Sequence, residues 1–562
     1  MLRFQDSNSV TDAKNVAVNL ENLELDVEGL QGIPDRPTEE CGVFGVYGHV
    51  KATELAYYAL FALQHRGQEA AGIASVDDGR MYNHRGLGLL SEVFAETALD
   101  ELPGAAAIGH VRYSTAGSNT VQNAQPISFT THEGPFALAH NGNLVNARSL
   151  RMLLERQGSL FQSTSDTEVV AHLIARAGLP TFTENIVEAV RMVKGGFAFL
   201  FLDKNELIAV RDPFGLRPLA LGRLDDAYVF ASESCAFDSI GATFIRDVEP
   251  GEMIVVTAKG LRSIPSGQRT KRAMCTFEHI YFARPDSDID GWNVHTVRKQ
   301  LGRILAENHG VEADIVVGVP DSSISAANGY GETAGLPVEM GLIKNKYIAR
   351  TFIQPSSELR DVGVRLKLNA VRSIVSGKRV VLVDDSIVRG TTSRRIVRLL
   401  RDAGATEVHV RISSPPYKNP CHYGIDTSSR GQLIAATHTI DEICQEIEAD
   451  SLAFLSVDEL MEGFGYARGE GNPFCNACFT GNYPTEVYET DKHTYENGAS
   501  DREADKRLNA ESGSSGRGHL PDGTPVSGQD SGSPDEEPVP PEDTEGFEAI
   551  LTATRNPRGV KS

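Results

Sequence analysis

Cysteine is scarce in this chain, with 7 among 562 residues, and tryptophan occurs once. Cysteines spread so thinly cannot staple a disulfide scaffold, so the fold has to rest on buried apolar surface. No apolar run approaches the roughly 20 residues of a helical membrane span. Residues 1–40 lack the basic stretch and apolar core of a secretory signal and carry instead mixed segments such as "VNLENLELDVEGL". Positive charge is also short: 54 Lys and Arg against 76 Asp and Glu leave a formal charge of −22. That balance disfavours nonspecific attachment to nucleic acid or an anionic membrane, although local basic loops can still hold phosphates. The expectation is a cytoplasmic protein in a reducing compartment, with small-molecule partners, no nucleic acid and no membrane.

What is present is apolar material, 40% of the residues, enough for roughly two to four domains. Residues 41–272 alternate short β-rich runs ("FAFLFL", "ELIAV", "AYVFAS", "EMIVV") with glycine and proline turns, and two amphipathic segments interrupt them, near "ATELAYYALFALQHRG" and "DTEVVAHLIARAG". Antiparallel strands layered with helices are expected there. Over 273–482 the strands "DIVVGVP", "RVVLVDD" and "EVHVRI" are separated by helical stretches, the pattern of a parallel α/β sheet. Residues 483–562 are dominated by Pro, Gly, Ser and acids, and are expected to be a disordered acidic tail.

The sharpest local signal is "VVLVDDSIVRGTTS", residues 380–393. Four apolar residues predict a buried strand, Asp384 and Asp385 stand at its carboxyl end, and a loop from Ser386 to Thr392 leads into the helix "SRRIVRLLRDAG". Ligands of open α/β sheets bind at that end. A loop of small hydroxyl residues and glycine lets backbone N–H groups approach a phosphate, and the helix terminus adds partial positive charge. Adjacent carboxylates suit ribose hydroxyls or hydrated magnesium. Ile396, Leu399, Leu400 and Ala403 recur at helical spacing and are expected in the core. The pattern resembles the phosphoribosylpyrophosphate (PRPP) motif of type I phosphoribosyltransferases. The resemblance implies that Asp384 and Asp385 hold the ribose, while Ser386, Arg389, Gly390, Thr391 and Thr392 hold the 5′-phosphate. It also makes "VVGVPDSS", 316–323, the pyrophosphate loop, with Ser322 joining Asp384 and Asp385 at Mg2+. By the same resemblance "NKYIARTFIQPSSELRDVGVRLKLNAV" is a flexible loop, whose Lys367 is a PRPP contact.

In the first half, "ECGVFG" (40–45) holds Cys41, which taken alone is as well explained as a small core residue. After it come "LQHRGQEAAGI", "GHVRYSTAG", "HNGNLVN" and "SDTE". Their order and spacing are similar to the class II glutamine amidotransferase domain, an α+β N-terminal-nucleophile fold of stacked antiparallel sheets between helices. That resemblance implies a Cys41 nucleophile with its own α-amino group as base, an oxyanion hole at Asn141 and Gly142, and glutamine contacts from Arg112, Thr115 and Asp166. A free α-amino group on Cys41 requires removal of residues 1–40 as a propeptide, since Met1 and Met81 are the only methionines nearby.

Four cysteines remain in suggestive places: Cys475 and Cys478 in "NPFCNACFTGNYP", Cys275 before "TFEHIYFARPDS", and Cys421 in "NPCHYGID". Four thiolates suit tetrahedral zinc or a [4Fe-4S] cluster. Cys235 and Cys444 lack such context and are expected to be ordinary buried thiols. All four positions resemble the iron–sulfur branch of the glutamine PRPP amidotransferases, which implies one [4Fe-4S] cluster. Membership would also imply a pentosyltransferase that moves glutamine-derived ammonia to C1 of PRPP in purine synthesis, feedback inhibition by purine nucleotides, and a homotetramer. Two rivals share parts of the pattern: glucosamine-6-phosphate synthase has the glutaminase half but not "VVLVDDSIVRGTTS", and a PRPP-sensing regulator would lack the glutaminase constellation.

Overall fold

The computed structural model describes residues 41–487 except 96–97, 114–119, 267–270, 346–367, 426, 428–429, 468 and 470–471. Alternation along the strands sets the layering of the first half. In Gly195–Asp203, with the sequence GGFAFLFLD, successive side chains point to opposite faces. Phe197, Phe199 and Phe201 join a cluster with helices Thr167–Ala177 and Phe182–Met192, while Ala198, Leu200 and Leu202 enter a second cluster with Val43, Ala74 and Ile108. The second cluster lies between two antiparallel sheets. One has seven strands, with Gly42–Tyr47 central between Ala106–Arg112 and Ala227–Ala231; the other has six, with Gly195–Asp203 between Gly134–Leu144 and Glu206–Arg211. Helix Ala52–Ala62 covers the outer face of the seven-stranded sheet through Ala52, Ala56, Ala59 and Leu60. Truncating one of the fully buried phenylalanines to alanine would cost about 3–5 kcal/mol.

Further helices appear where sequence inspection expected only two, among them Ala147–Arg156 and Phe182–Met192. The latter begins with a capping box in which the Thr181 hydroxyl accepts from Glu184 N–H and the Glu184 carboxylate accepts from Thr181 N–H.

The second half is built on a four-stranded parallel sheet in the order Ile315–Gly318, Arg379–Asp384, Glu407–Ile412, Ser451–Phe454. Both faces are covered, as parallel sheets require. Val381 and Val383 pack with helices Val294–His309 and Ile324–Ala334, and Val380 and Leu382 pack with Ile396, Val397 and Leu400 of helix Thr391–Asp402. The first two helices cross closely because Gly302 and Gly329 leave room: a Cβ at either would stand 1.9 Å from a carbonyl oxygen of the other helix. Near the junction of the halves, Met274–Cys275 pairs in parallel with Phe474–Cys475.

Three details depart from expectation. Thr391 and Thr392 form the first turn of their helix rather than the end of a loop. Cys444 is half-buried, not buried, whereas Cys235 is buried as expected. Tyr483 and Thr485, assigned from sequence to the tail, are packed: the Tyr483 hydroxyl donates to Pro420 O at 2.7 Å and Thr485 N–H to the Tyr423 hydroxyl at 3.0 Å. The tail beyond 487, the leader 1–40, Thr115 and Lys367 lie outside the described residues.

Candidate functional site

Cys41 directly precedes the central strand Gly42–Tyr47, and its buried thiol donates to Tyr113 O at 3.4 Å. Burial pushes the thiol up to about 11; the Arg112 guanidinium opposes this, and the Asp166 and Glu69 carboxylates add to it. At neutral pH the group is therefore a thiol, and reaction as a nucleophile calls for a base beside it. Its carbonyl is gripped by Arg66, whose Nε donates to Cys41 O at 3.0 Å. Arg66 is itself buried, held by Glu233 Oε1 at 2.6 Å and by Glu278 at 3.0 and 2.8 Å. Burial works against the ionised form of Glu233, but His65 and Arg66 hold its carboxyl well below the usual carboxylate range.

Arg112 ends the strand Ala106–Arg112 with its side chain buried. Asp166 precedes helix Thr167–Ala177; its Oδ2 accepts from Leu144 N–H at 3.0 Å and its Oδ1 from the Thr167 hydroxyl at 3.3 Å. Burial opposes its charge, yet the His140 ring, 3.7 Å away, and these hydrogen bonds lower its pKa. A guanidinium and a carboxylate that both act on one thiol form a pair complementary to a zwitterionic α-amino acid.

Asn141 and Gly142 lie in strand Gly134–Leu144. The Asn141 amide is tied to the strand that follows Cys41 through Ser232, whose Oγ accepts from Val43 N–H at 3.0 Å and from Asn141 Nδ2 at 3.4 Å. Among the described residues, Asn141 Oδ1 has no hydrogen-bond partner. Gly142 has φ +139°, and a Cβ there would stand 2.0 Å from Gly196 O, so no other residue fits.

In the second half, Asp384 and Asp385 stand buried at the carboxyl end of strand Arg379–Asp384. The turn after Ile315–Gly318, which contains a cis Pro320–Asp321 peptide, meets them. Ser322 Oγ donates to Asp385 Oδ2, and Ser323 Oγ reaches Asp384 Oδ1 at 3.1 Å. The Ser386 hydroxyl donates to Asp385 Oδ1 at 2.7 Å. Arg389 donates to Gln432 Oε1 at 3.1 Å. Gly390, at φ +84°, turns the chain into helix Thr391–Asp402, and a Cβ there would lie 2.9 Å from Ile434 Cδ1. The predicted acid pair, Ser322 and the loop residues are thus assembled around one strand end.

The four cysteines also converge. Cys275 and Cys475 share one register in their parallel bridge, Cys478 lies in the short helix Ala477–Thr480, and Cys421 Sγ accepts from Tyr423 N–H at 3.4 Å. All four line one cavity together with Arg217, Tyr423 and Tyr483, and none is in a disulfide. Burial pushes the Cys475 thiol up to about 12 and raises that of Cys478 as well. Among the described residues, no three Cys, His, Asp or Glu side chains are gathered tightly enough to hold one metal ion, and no helix is long and apolar enough to cross a membrane.

Arg66, Ser232, Glu233, Glu278 and Arg217 were not singled out from sequence. Arg66 sits inside the quoted "LQHRGQEAAGI", among polar neighbours that give no sign of its burial.

Known proteins resemble both halves. A glutamine amidotransferase domain matches residues 110–239 and a phosphoribosyl transferase domain residues 294–419. The chain is 57% identical over 453 residues to the amidophosphoribosyltransferase of Bacillus subtilis (strain 168), covering 80% of this chain and 95% of that one. With the amidophosphoribosyltransferase of Staphylococcus aureus (strain MRSA252) it shares 51% identity over 456 residues, 80% of this chain and 92% of the relative. Its fold matches the structure of B. subtilis glutamine PRPP amidotransferase complexed with ADP and GMP at a TM-score of 0.76, with 56% identity over 80% of this chain and 98% of that chain. A structure described as the allosteric regulatory enzyme of purine biosynthesis matches at 0.77, with 57% identity over 80% and 97% of the two chains.

Proposed function

Since the chain belongs to the amidophosphoribosyltransferase family, we propose that the two constellations divide that reaction between them. The activity is the first step of purine biosynthesis: glutamine is hydrolysed to glutamate and ammonia, and the ammonia replaces pyrophosphate at C1 of PRPP, giving 5-phosphoribosylamine. The observation that carries the division is a buried Cys41 thiol acted on by Arg112 and Asp166, far along the chain from an acid pair at a parallel strand end.

In the glutamine half, Arg112 takes the substrate α-carboxylate, Asp166 its α-amino group, and Thr115 is a further contact. Residues 1–40 are a propeptide whose removal frees the Cys41 α-amino group. That group, with an ordinary pKa of about 7.7–8.0, accepts the proton of a thiol that burial keeps protonated. Cys41 Sγ then attacks the amide carbon, Asn141 Nδ2 and Gly142 N–H receive the developing oxyanion, and ammonia leaves with the returned proton. Water hydrolyses the thioester to glutamate.

In the PRPP half, Asp384 and Asp385 hold the ribose hydroxyls, and backbone N–H groups from Ser386 to Thr392 hold the 5′-phosphate, with Arg389 and the helix terminus adding positive charge. Ser322, Asp384 and Asp385 offer hard oxygen donors that suit Mg2+, which would supply charge neutralisation to the departing pyrophosphate. Lys367 is a further PRPP contact. Ammonia attacks C1 from the face opposite pyrophosphate, with inversion, and an enclosed path keeps it from being protonated in bulk water.

Cys275, Cys421, Cys475 and Cys478 offer soft donors to one [4Fe-4S] cluster, and a bound cluster would replace the protons that burial leaves on the Cys475 and Cys478 thiols. Its role is structural, because the net reaction moves no electrons and the thiols lie outside both substrate sites. Purine nucleotides, the class named in the B. subtilis complex, act as feedback inhibitors. The enzyme works as a cytoplasmic homotetramer.

The test is PRPP-dependent glutamate release by N-terminally sequenced protein, with iron, sulfide and zinc analysis of an anaerobic preparation. Processed protein should release glutamate and carry four iron atoms with labile sulfide. Zinc without sulfide would replace the cluster by a zinc site, and inactivity of processed, metal-replete protein would overturn the division of labour.

A further inference from the structure

Three fully buried side chains, Arg66, Glu278 and Arg217, connect the two parts of the glutamine site. We propose that Glu278 and Arg217 are positioning residues for glutamine hydrolysis, fixing the nucleophile relative to the oxyanion hole; this rests on the assignment of Cys41, Asn141 and Gly142 to those roles.

The chain of contacts starts at the nucleophile. Arg66 Nε holds Cys41 O at 3.0 Å, and its two terminal nitrogens grip both oxygens of Glu278 at 3.0 and 2.8 Å. Arg217 Nη1 lies 3.6 Å from Glu278 Oε1. Arg217 in turn donates from Nε to Tyr423 O at 2.9 Å, and its Nη2 meets the same oxygen. The backbone at 422–424 is wedged against the oxyanion strand. Asn143 Nδ2 donates to His422 O at 2.9 Å. A Cβ at Gly424 would stand 2.6 Å from Arg217 Nη2 and 3.2 Å from the carbonyl carbon of Gly142, so that glycine fills the gap between the two.

One end of the Arg–Glu–Arg chain therefore holds the residue that attacks, and the other backs the residue that receives the oxyanion. Productive geometry tolerates displacements of about 0.5 Å. A buried ion triad is a poor way to gain stability, because desolvation offsets most of the attraction and apolar replacements are often neutral or stabilising. What the triad supplies is fixed direction, through a bidentate guanidinium–carboxylate contact and two bonds to one carbonyl. Glu278 stands in the turn of π-helix Glu278–Phe282, outside the segment that matches the amidotransferase domain. The strut thus draws on chain that follows residue 272, where the glutamine half is expected to end.

The experiment compares Glu278→Gln, Arg217→Met and the double variant Arg217→Met/Glu278→Met in the full-length processed holoenzyme, reading glutamine kcat and KM, ammonia-dependent synthesis and Tm. The proposal expects each variant to lose about 10- to 100-fold in glutamine-dependent kcat. KM for glutamine should stay within threefold, and ammonia-dependent synthesis by Glu278→Gln, whose side chain does not line the cysteine cavity, serves as the internal reference. The double variant, with both unmatched charges gone, should recover the Tm lost by the singles while kcat stays low. Recovery of kcat together with Tm, an equal fall in ammonia-dependent synthesis, or wild-type turnover by Glu278→Gln overturns it. Cys41→Ser run alongside separates the two levels: if it still turns over glutamine, the site assignment fails, whereas if it is dead and Glu278→Gln is fully active, the strut alone fails.

Discussion

The glutamine half gathers its site from four separate strands and turns, at Cys41, Arg112, Asn141 and Asp166, whereas the PRPP half carries most of its site in one continuous strand, loop and helix at 379–402. In the dispersed site each group is held by a buried neighbour it shares with another: Ser232 serves Val43 and Asn141, and Arg66 joins Cys41 to two glutamates. In the continuous site the groups hold one another locally, as Ser386 holds Asp385 and Gly390 sets the loop's exit. A dispersed site depends on the core for its geometry; a continuous one depends on its own backbone.

The largest effect that separates the halves is expected at Cys41, the proposed nucleophile. Cys41→Ser should lower glutamine-dependent synthesis by about 10⁴-fold or more while synthesis from high ammonium persists. Equal loss from both nitrogen sources in a folded protein would erase the distinction between the halves. Next in size, Asp384→Asn with Asp385→Asn should depress synthesis from either source by about 10³-fold, because both routes end at the same ribose. Steady-state assays with glutamine and with ammonium chloride, run in parallel, measure both variants.

A smaller change sharpens the picture inside the glutamine half. Asp166→Asn keeps the acceptor for Leu144 N–H but removes the charge proposed to meet the substrate ammonium. KM for glutamine should rise about 10- to 100-fold with kcat changed much less, as expected for loss of uniform binding. A fall in kcat at unchanged KM would show that Asp166 acts on the chemistry instead.

The smallest effect concerns stability at the edge of the same half. Burial and the neighbouring Asp290 raise the Asp247 carboxyl to about 7, despite Arg211 and Arg272 nearby. An acid whose folded pKa lies above its ordinary value of about 3.9 holds its proton more tightly when folded, so stability falls as pH rises from about 4 to 7 and the deficit is complete above that. Asp247→Asn, which can still accept the Asp290 N–H now bound at 2.9 Å, should remove the deficit. Its Tm should exceed that of wild type by about 2–4 °C at pH 7.5, with the gain shrinking toward pH 5. A pH-independent difference in calorimetry would mean that the charge is not the cause.

The same contrast explains what could be read before the structure. The PRPP loop was legible because strand, acids, glycine and helix are consecutive, and its error was confined to Thr391 and Thr392, whose short hydroxyl side chains suit loops and helix starts alike. The β-rich run "FAFLFL" marked a strand, and the fold buries that strand on both faces. The glutamine residues were visible only as a resemblance, since nothing local distinguishes Arg112 from any surface arginine. Arg66, Glu278 and Arg217 escaped notice because charged residues are ordinarily solvent-facing, and only the tertiary fold matches two cations to a buried carboxylate. Tyr483 and Thr485 were lost to the tail because composition is averaged over a window, while packing against Pro420 and Tyr423 is specific.

The parallel bridge between Cys275 and Cys475 joins points roughly two hundred residues apart in the chain. On a ribosome adding about 5–20 residues per second, the second strand emerges roughly ten to forty seconds after the first. Throughout that interval Cys275 waits without its partner strand, and Leu216, Met274 and Phe277, which end in one cluster with Phe474 and Phe479, lack the last side chains that cover them. The nascent protein thus passes through a prolonged stage with an unfinished thiol pocket, which closes only once Phe474–Phe479 have emerged. Growth conditions that slow elongation or raise oxygen during that stage should lower the yield of soluble enzyme without altering a molecule that has already closed.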